Sequence, residues 1–384
     1  MIWNSRNTIV RLLSVSILSA MFGLAFPLIA QISAKTSRSE LIRRILTFAS
    51  TMEKNGKTGE AIIAYSDVIK IDPDNLFAYE QRALLLLKES RLEDAFKDYS
   101  FLINSRPKEF GLWFNRSLVL RRMKKFREAL SDLDQAERLN STSPLVIRGK
   151  GLVLLELNEL DDARRYLDKA IELDPRSSSA YVGKSIYCFK IFDTECILVN
   201  STKAIDIDPT SSAAFNNRGY ALLLKRELRS ARPDIERAIS LSPKWSYPYN
   251  NRALLYILEA KWEKASVDIE KALELEPELA EAFDNRGLIH LGKGNLDEAI
   301  KQFDRAIELR PRSARAFLHR GKALFQKGNL TQALADLNTA ISINSRSLES
   351  YEIREQILKQ LGKNDEAESD RKTAKQIRST YAFN

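Results

Sequence analysis

Proline recurs every thirty-four residues through most of this chain, at Pro73, Pro107, Pro175, Pro209, Pro243, Pro277 and Pro311. The two positions it skips, 141 and 345, both hold Ser, so the register continues without insertion or deletion. Proline has no N–H and disfavours helix in the residue before it, so each one closes a helix. A fixed period of this length predicts a solenoid of helix–turn–helix units, each packed on its neighbours. Such an array presents a surface and brings no reaction chemistry of its own.

Counting back from the prolines gives units starting at 42, 76, 110, 144, 178, 212, 246, 280, 314 and 348, and ten units reach residue 381. Within a unit the fourth position is mostly aromatic (Tyr79, Trp113, Tyr249, Phe317). The eighth is small (Ala83, Gly151, Gly219, Gly287). Ala recurs at positions twenty (Ala61, Ala95, Ala265) and twenty-seven (Ala136, Ala272, Ala340). Small residues at 8, 20 and 27 let two helices approach, and bulky ones at 4, 11 and 24 fill the grooves between them. The first helix is predicted over about positions one to fourteen and the second over about eighteen to thirty-one. Gly56, Gly294, Gly328 and Gly362 at position fifteen supply the left-handed residue that ends the first helix.

This pattern resembles the tetratricopeptide repeat family over residues 42–381. The resemblance implies an all-α fold, a right-handed superhelical solenoid of antiparallel helix pairs. Residues 35–381 form the solenoid and 365–384 its capping helix and tail. The polar outer side of that cap is assigned to Glu366, Asp370, Arg371, Lys372, Lys375 and Gln376.

One pairing is internal to the chain. Arg82, Arg116, Arg218, Arg252, Arg286, Arg320 and Arg354 occupy position seven. Six of these units carry Asp98, Asp132, Asp234, Asp268, Asp336 or Asp370 at position twenty-three; the unit of Arg286 has Gln302. Units without the Arg also lack the Asp. The co-occurrence predicts an ion pair between the two helices of one hairpin, rather than a basic face for nucleic acid. Pro233, near the start of a second helix, is expected to leave that helix intact because early N–H groups are unpaired.

Residues 12–34 carry no charge and follow Arg6 and Arg11. A basic start before an apolar run reads as a secretory signal peptide or an uncleaved membrane anchor over residues 1–34. The expectation is an exported chain (periplasmic, lumenal or secreted) or a membrane-anchored one, with residues 12–34 as its membrane contact. The formal charge of +9 falls to +7 without residues 1–34, which hold two arginines and no acid. Charges of both signs are interspersed, as on solvated helix faces. The densest basic run, Arg121 to Arg127, reads as a turn at a helix C-terminus, with contact to an acidic partner, a lipid headgroup or a nucleic-acid backbone as the functional alternatives.

Cys188 and Cys196 are the only cysteines and fall at the end of one helix and the start of the next, where a disulfide is one outcome and two buried thiols the other. His290, at position eleven, reads as packing, and His319, at position six, as facing inward. No phosphate loop, nucleophile elbow or paired-acid motif is present, and no metal or cofactor is expected.

The resemblance places the first helix of each unit on the concave groove, at positions 2, 5, 6, 9, 12 and 13. There the chain carries Asn115, Asn217, Asn251 and Asn285 at six and Asn216, Asn250 and Asp284 at five. Tyr220 and Lys322 lie at nine and His319 at six. A carboxamide both donates and accepts, which suits a peptide backbone, although Asn at six is also common in the family. The carboxylate-clamp pattern, Lys at five with Asn at nine, occurs in no unit. The reading is a non-enzymatic scaffold that binds a peptide or partner protein in the groove, with assembly of a membrane complex added only by analogy of fold. The alternative is a non-catalytic subunit or regulator of an enzyme complex, for instance one associated with a glycosyltransferase. Neither a small-molecule substrate nor nucleic acid is expected.

Overall fold

The computed structural model describes residues 37–382, so the apolar segment 12–34 lies outside the described residues, with the signal, anchor and membrane-contact readings attached to it. Among the described residues every regular element is a helix, and the helices number twenty. The described helices fall into two compact units, divided between Leu173 and Asp174. The first holds four hairpins: α1 (Arg38–Lys54) with α2 (Thr58–Ile71), α3 (Leu76–Lys88) with α4 (Leu92–Ser105), α5 (Phe110–Arg122) with α6 (Phe126–Leu139), and α7 (Pro144–Glu156) with α8 (Leu160–Leu173). The second holds six: α9 (Ser178–Lys190) with α10 (Thr194–Ile207), α11 (Ser212–Leu224) with α12 (Leu228–Leu241), α13 (Ser246–Leu258) with α14 (Trp262–Leu275), α15 (Ala280–Gly292) with α16 (Leu296–Leu309), α17 (Ala314–Gln326) with α18 (Leu330–Ile343), and α19 (Leu348–Gln360) with α20 (Asn364–Ala382). No helix among the described residues is long and apolar enough to cross a membrane.

Helix ends sit one residue earlier than the period suggests, with first helices closing at position thirteen and second helices running from seventeen to thirty, except the terminal α20, which continues to Ala382. The cause is the corner. Position fifteen is left-handed in all ten hairpins, at Gly56, Gly294, Gly328 and Gly362 and also at Ser90, Lys124, Asn158, Phe192, Arg226 and Ala260, whose φ lies between 56° and 62°. Position thirty-one then turns extended ahead of the proline, as at Asp208 and Glu276. Position thirty-four caps the next helix: the side chains of Asn75, Ser211, Ser313 and Ser347 accept from backbone N–H groups three residues on. Pro233 is the sixth residue of α12, past the unpaired N–H groups, and the helix still runs through it. It lies exposed, so water can satisfy the carbonyl it leaves without a donor.

The core is the contact between positions eight and twenty-four. Tyr65, Tyr99, Leu133, Leu167, Ile235, Ile269, Phe303 and Leu337 all stand at twenty-four and are 1% exposed or less. A Cβ added to Gly151 or Gly219 would fall 2.7 Å from Leu167 or Ile235, and one on Gly287 would enter the Phe303 ring. The fifth hairpin departs from this, with Ser201 at twenty-four donating to Ile197 O at 2.6 Å.

All six expected Arg–Asp pairs form, each through two parallel hydrogen bonds of 2.6–2.8 Å from Nε and Nη2. The aspartates are buried and the guanidiniums half-buried. Each of these arginines also lies over the aromatic at position four of its own helix, as Arg116 does over Trp113 at 5.1 Å. Several reach the preceding hairpin as well: Arg82 to Ser66, Arg116 to Ser100, Arg320 to Asp304 and Arg354 to Asn338. In these four the pair therefore ties three helices together. Asp370 belongs to this set, which corrects its placement on the outer side of the cap: it is buried against Arg354, while Arg371, Lys372 and Lys375 face solvent. In the fourth hairpin Lys150 takes the same position, bonded to Asp134, Glu137 and Tyr166 at 2.6–2.8 Å.

Candidate functional site

The asparagines at positions five and six of the second unit are 1–7% exposed, not an open row. Position six of one hairpin bonds position five of the hairpin before it. Asn251 Nδ2 donates to Asn216 Oδ1 at 2.8 Å, Asn285 Nδ2 donates to Asn250 Oδ1 at 2.8 Å, and His319 Nδ1 lies 2.7 Å from Asp284 Oδ1. Asn217 has Val182 at the corresponding place and donates instead to Ser185 Oγ at 2.8 Å. In the free chain the carboxamides thus join one hairpin to the next. A buried amide left unbonded would cost about 1–3 kcal/mol, which explains why they pair.

Arg315 extends the network. It donates to Asn285 Oδ1 at 3.3 Å, lies 3.3 Å from Asp284 Oδ2, and donates to Tyr220 Oη at 2.7 Å. Tyr220 packs on Phe189 with ring centroids 5.3 Å apart. Burial alone would raise the Asp284 carboxyl, but the charges of His319 and Arg315 outweigh it and hold the group below the usual carboxylate range. Lys322 Nζ donates to Glu349 Oε1 at 2.6 Å. The structure therefore gathers nine of the ten expected groove residues on the first-helix face of one unit. Arg315, at position two, was not among those expected, and only its 95-residue reach to Tyr220 identifies it.

Asn115 lies in the first unit, half-buried, without the inter-hairpin bond. Position five of the preceding hairpin is Glu80, held by Arg106 at 2.9 Å. This unit's first helices instead expose apolar side chains: Phe77 (54%), Leu84 (44%) and Leu145 (52%). Phe77 and Leu145 at position two escaped the sequence reading, although other units carry Arg43, Glu281, Arg315 or Glu349 there. The basic run is dispersed: Arg122 Nη2 donates to Ser90 Oγ at 2.7 Å, Arg127 pairs with Glu159 at 2.8 Å, and Arg121 turns into a small cavity with Arg148. Cys188 and Cys196 are joined in a disulfide across the turn between α9 and α10, with Cα atoms 5.6 Å apart.

The comparisons with known proteins agree with this architecture. The tetratricopeptide repeat family model matches residues 114–178, 148–189 and 285–347. A tetratricopeptide repeat protein from Parabacteroides merdae superposes with a TM-score of 0.53 at 17% identity, covering 65% of this chain and 98% of that one. The yeast Tom70 matches 89% of this chain and 93% of its own at 17% identity, but with a TM-score of 0.40 the likeness is too loose to argue from. No curated protein matches. Those three stretches are thus similar to tetratricopeptide repeats, and the chain shares the fold of proteins built from them; proteins of that family generally mediate contacts between proteins.

Proposed function

We propose that the chain is a non-catalytic scaffold that holds a peptide segment or a partner protein against its first-helix faces. The observation that carries this is the exposure of Phe77, Leu84 and Leu145 on one unit's first helices, since large apolar side chains left in water mark an interaction surface. The second unit adds Tyr220, Arg315, Asp284 and His319, a polar network whose members can exchange partners with a peptide backbone. The apolar run at 12–34 behind Arg6 and Arg11, together with the bonded Cys188 and Cys196, supports action outside the cytoplasm or at a membrane. Alkali extraction of membranes and N-terminal sequencing of the mature chain test that location.

The binding claim is tested by crosslinking in the native compartment with Phe77→Ser, Leu84→Ser and Leu145→Ser combined. The expected result is loss of the captured partner with an unchanged melting curve. Full recovery of the partner would remove the apolar face from the proposal.

A further inference from the structure

The eighth hairpin breaks the rule that six others keep. Where Arg82, Arg116, Arg218, Arg252, Arg320 and Arg354 each meet a buried Asp, Arg286 faces Gln302. A carboxamide offers one oxygen and no charge, so it cannot replace the two-oxygen grip. Arg286 keeps one ionic partner: its Nη2 donates to Glu270 Oε1 at 2.6 Å, and Glu270 is 71% exposed. An exposed pair of this kind contributes little and is readily displaced.

Beside this guanidinium lies a cavity of about 450 Å³. Ile269 and Ile289 give it an apolar floor, and Arg286, His290, Lys293 and Gln302 supply its polar wall. The Nδ1 of His290 is buried there without a hydrogen-bond partner. Lys293 reaches only Glu263, at 3.2 Å, itself largely in solvent. Arg286, Ile289 and His290 stand at positions 7, 10 and 11 on α15 and Lys293 at its C-terminal cap, while Ile269 comes from α14 and Gln302 from α16; none of these positions forms the first-helix face, so the cavity stands independently of the proposed scaffold function.

We propose that this cavity binds a carboxylate, which takes the place of the missing aspartate against Arg286. Lys293 supplies the second positive charge and His290 a polar contact, while the isoleucines accept the short apolar part of the ligand. The volume falls within the range of small-ligand sites, about 300–1,000 Å³. The carboxylate comes either from a small organic acid or from an acidic side chain of a partner protein.

Calorimetric titration of the full chain tests this with four probes: succinate, the capped peptide Ala-Ala-Glu-Ala-Ala, its Gln counterpart, and inorganic phosphate. Saturation by succinate or by the Glu peptide, with the Gln peptide inert, is the expected result, and the arm that saturates names the source. Gln302→Asp should weaken binding roughly tenfold while raising the melting temperature, because it supplies the carboxylate internally. The surface change Glu270→Ala should tighten binding several-fold by removing the competitor. Absence of carboxylate binding, indifference to both substitutions, or tighter binding of phosphate than of either carboxylate overturns the assignment.

Discussion

Arg315, on α17, donates to the phenol oxygen of Tyr220, on α11, at 2.7 Å across ninety-five residues of sequence. The first-helix face of this unit therefore curls far enough for the sixth hairpin to meet the ninth. The same guanidinium lies 3.3 Å from Asp284, whose other oxygen meets His319. A single carboxylate thus anchors the contact that spans the face.

That carboxylate sets a pH dependence. Asp284 is held below its ordinary value of about 3.8, so the folded chain binds its proton less readily than the unfolded one. Its stabilisation is present above that ordinary value and is lost as pH falls through the lower folded value. Asp284→Asn should therefore cost about 2 kcal/mol at pH 7. The difference from the parent chain should shrink only below about pH 4. Urea unfolding at a series of pH values measures it, and a difference that vanished already at pH 6 would contradict the account.

Breaking one repeated ion pair should cost more than removing the arginine that lacks it. Arg252→Ala leaves Asp268 buried and uncompensated, at about 3 kcal/mol, whereas Arg286→Ala removes an exposed pair worth under about 1 kcal/mol. Thermal melts of both variants, with the charge reversal of Arg252 and Asp268 together, provide the comparison. A reversed pair no better than either single change would argue against the pairing.

The ten left-handed corners differ in strain. Ala260 holds φ at 56° where Gly294 holds 78° without a side chain. Ala260→Gly should stabilise the chain by about 1 kcal/mol, and Gly294→Ala should destabilise it by a similar amount. Calorimetry on the two variants tests the opposite signs directly.

Close packing at position eight yields a graded series. A Cβ at Gly321 would stand 3.2 Å from Leu337, which can yield, but one at Gly287 enters the rigid Phe303 ring. Gly287→Ala should cost about 1–3 kcal/mol and Gly321→Ala distinctly less. Adding Phe303→Leu should recover part of the loss in the first case only.

The hairpin register, the glycine corners and the six ion pairs were legible because each is written within one unit. Arg82 and Asp98 stand sixteen residues apart, and so do their counterparts in five other units. The use of Asn251 and Asn285 was not legible, since an open carboxamide and one bonded to the hairpin before it look alike in sequence. Which occurs depends on position five of the neighbour: Asn216 and Asn250 accept, whereas Glu80 is drawn away by Arg106 and leaves Asn115 without that bond. Tyr220 and Arg315 meet only through the accumulated rotation of four hairpins, which no local pattern encodes. Phe77 and Leu145 were missed because an apolar side chain at position two reads the same whether a neighbour covers it or not.

The seventh hairpin presents an acceptor, Asn250, toward the hairpin after it and a donor, Asn251, toward the one before. A tandem duplicate of residues 246–279 would find its own donor matched by Asn250 and its own acceptor matched by Asn285. Growth of the chain by gene-segment copying is thus self-compatible at this seam, and the length of the polar rail can change without rewriting either end.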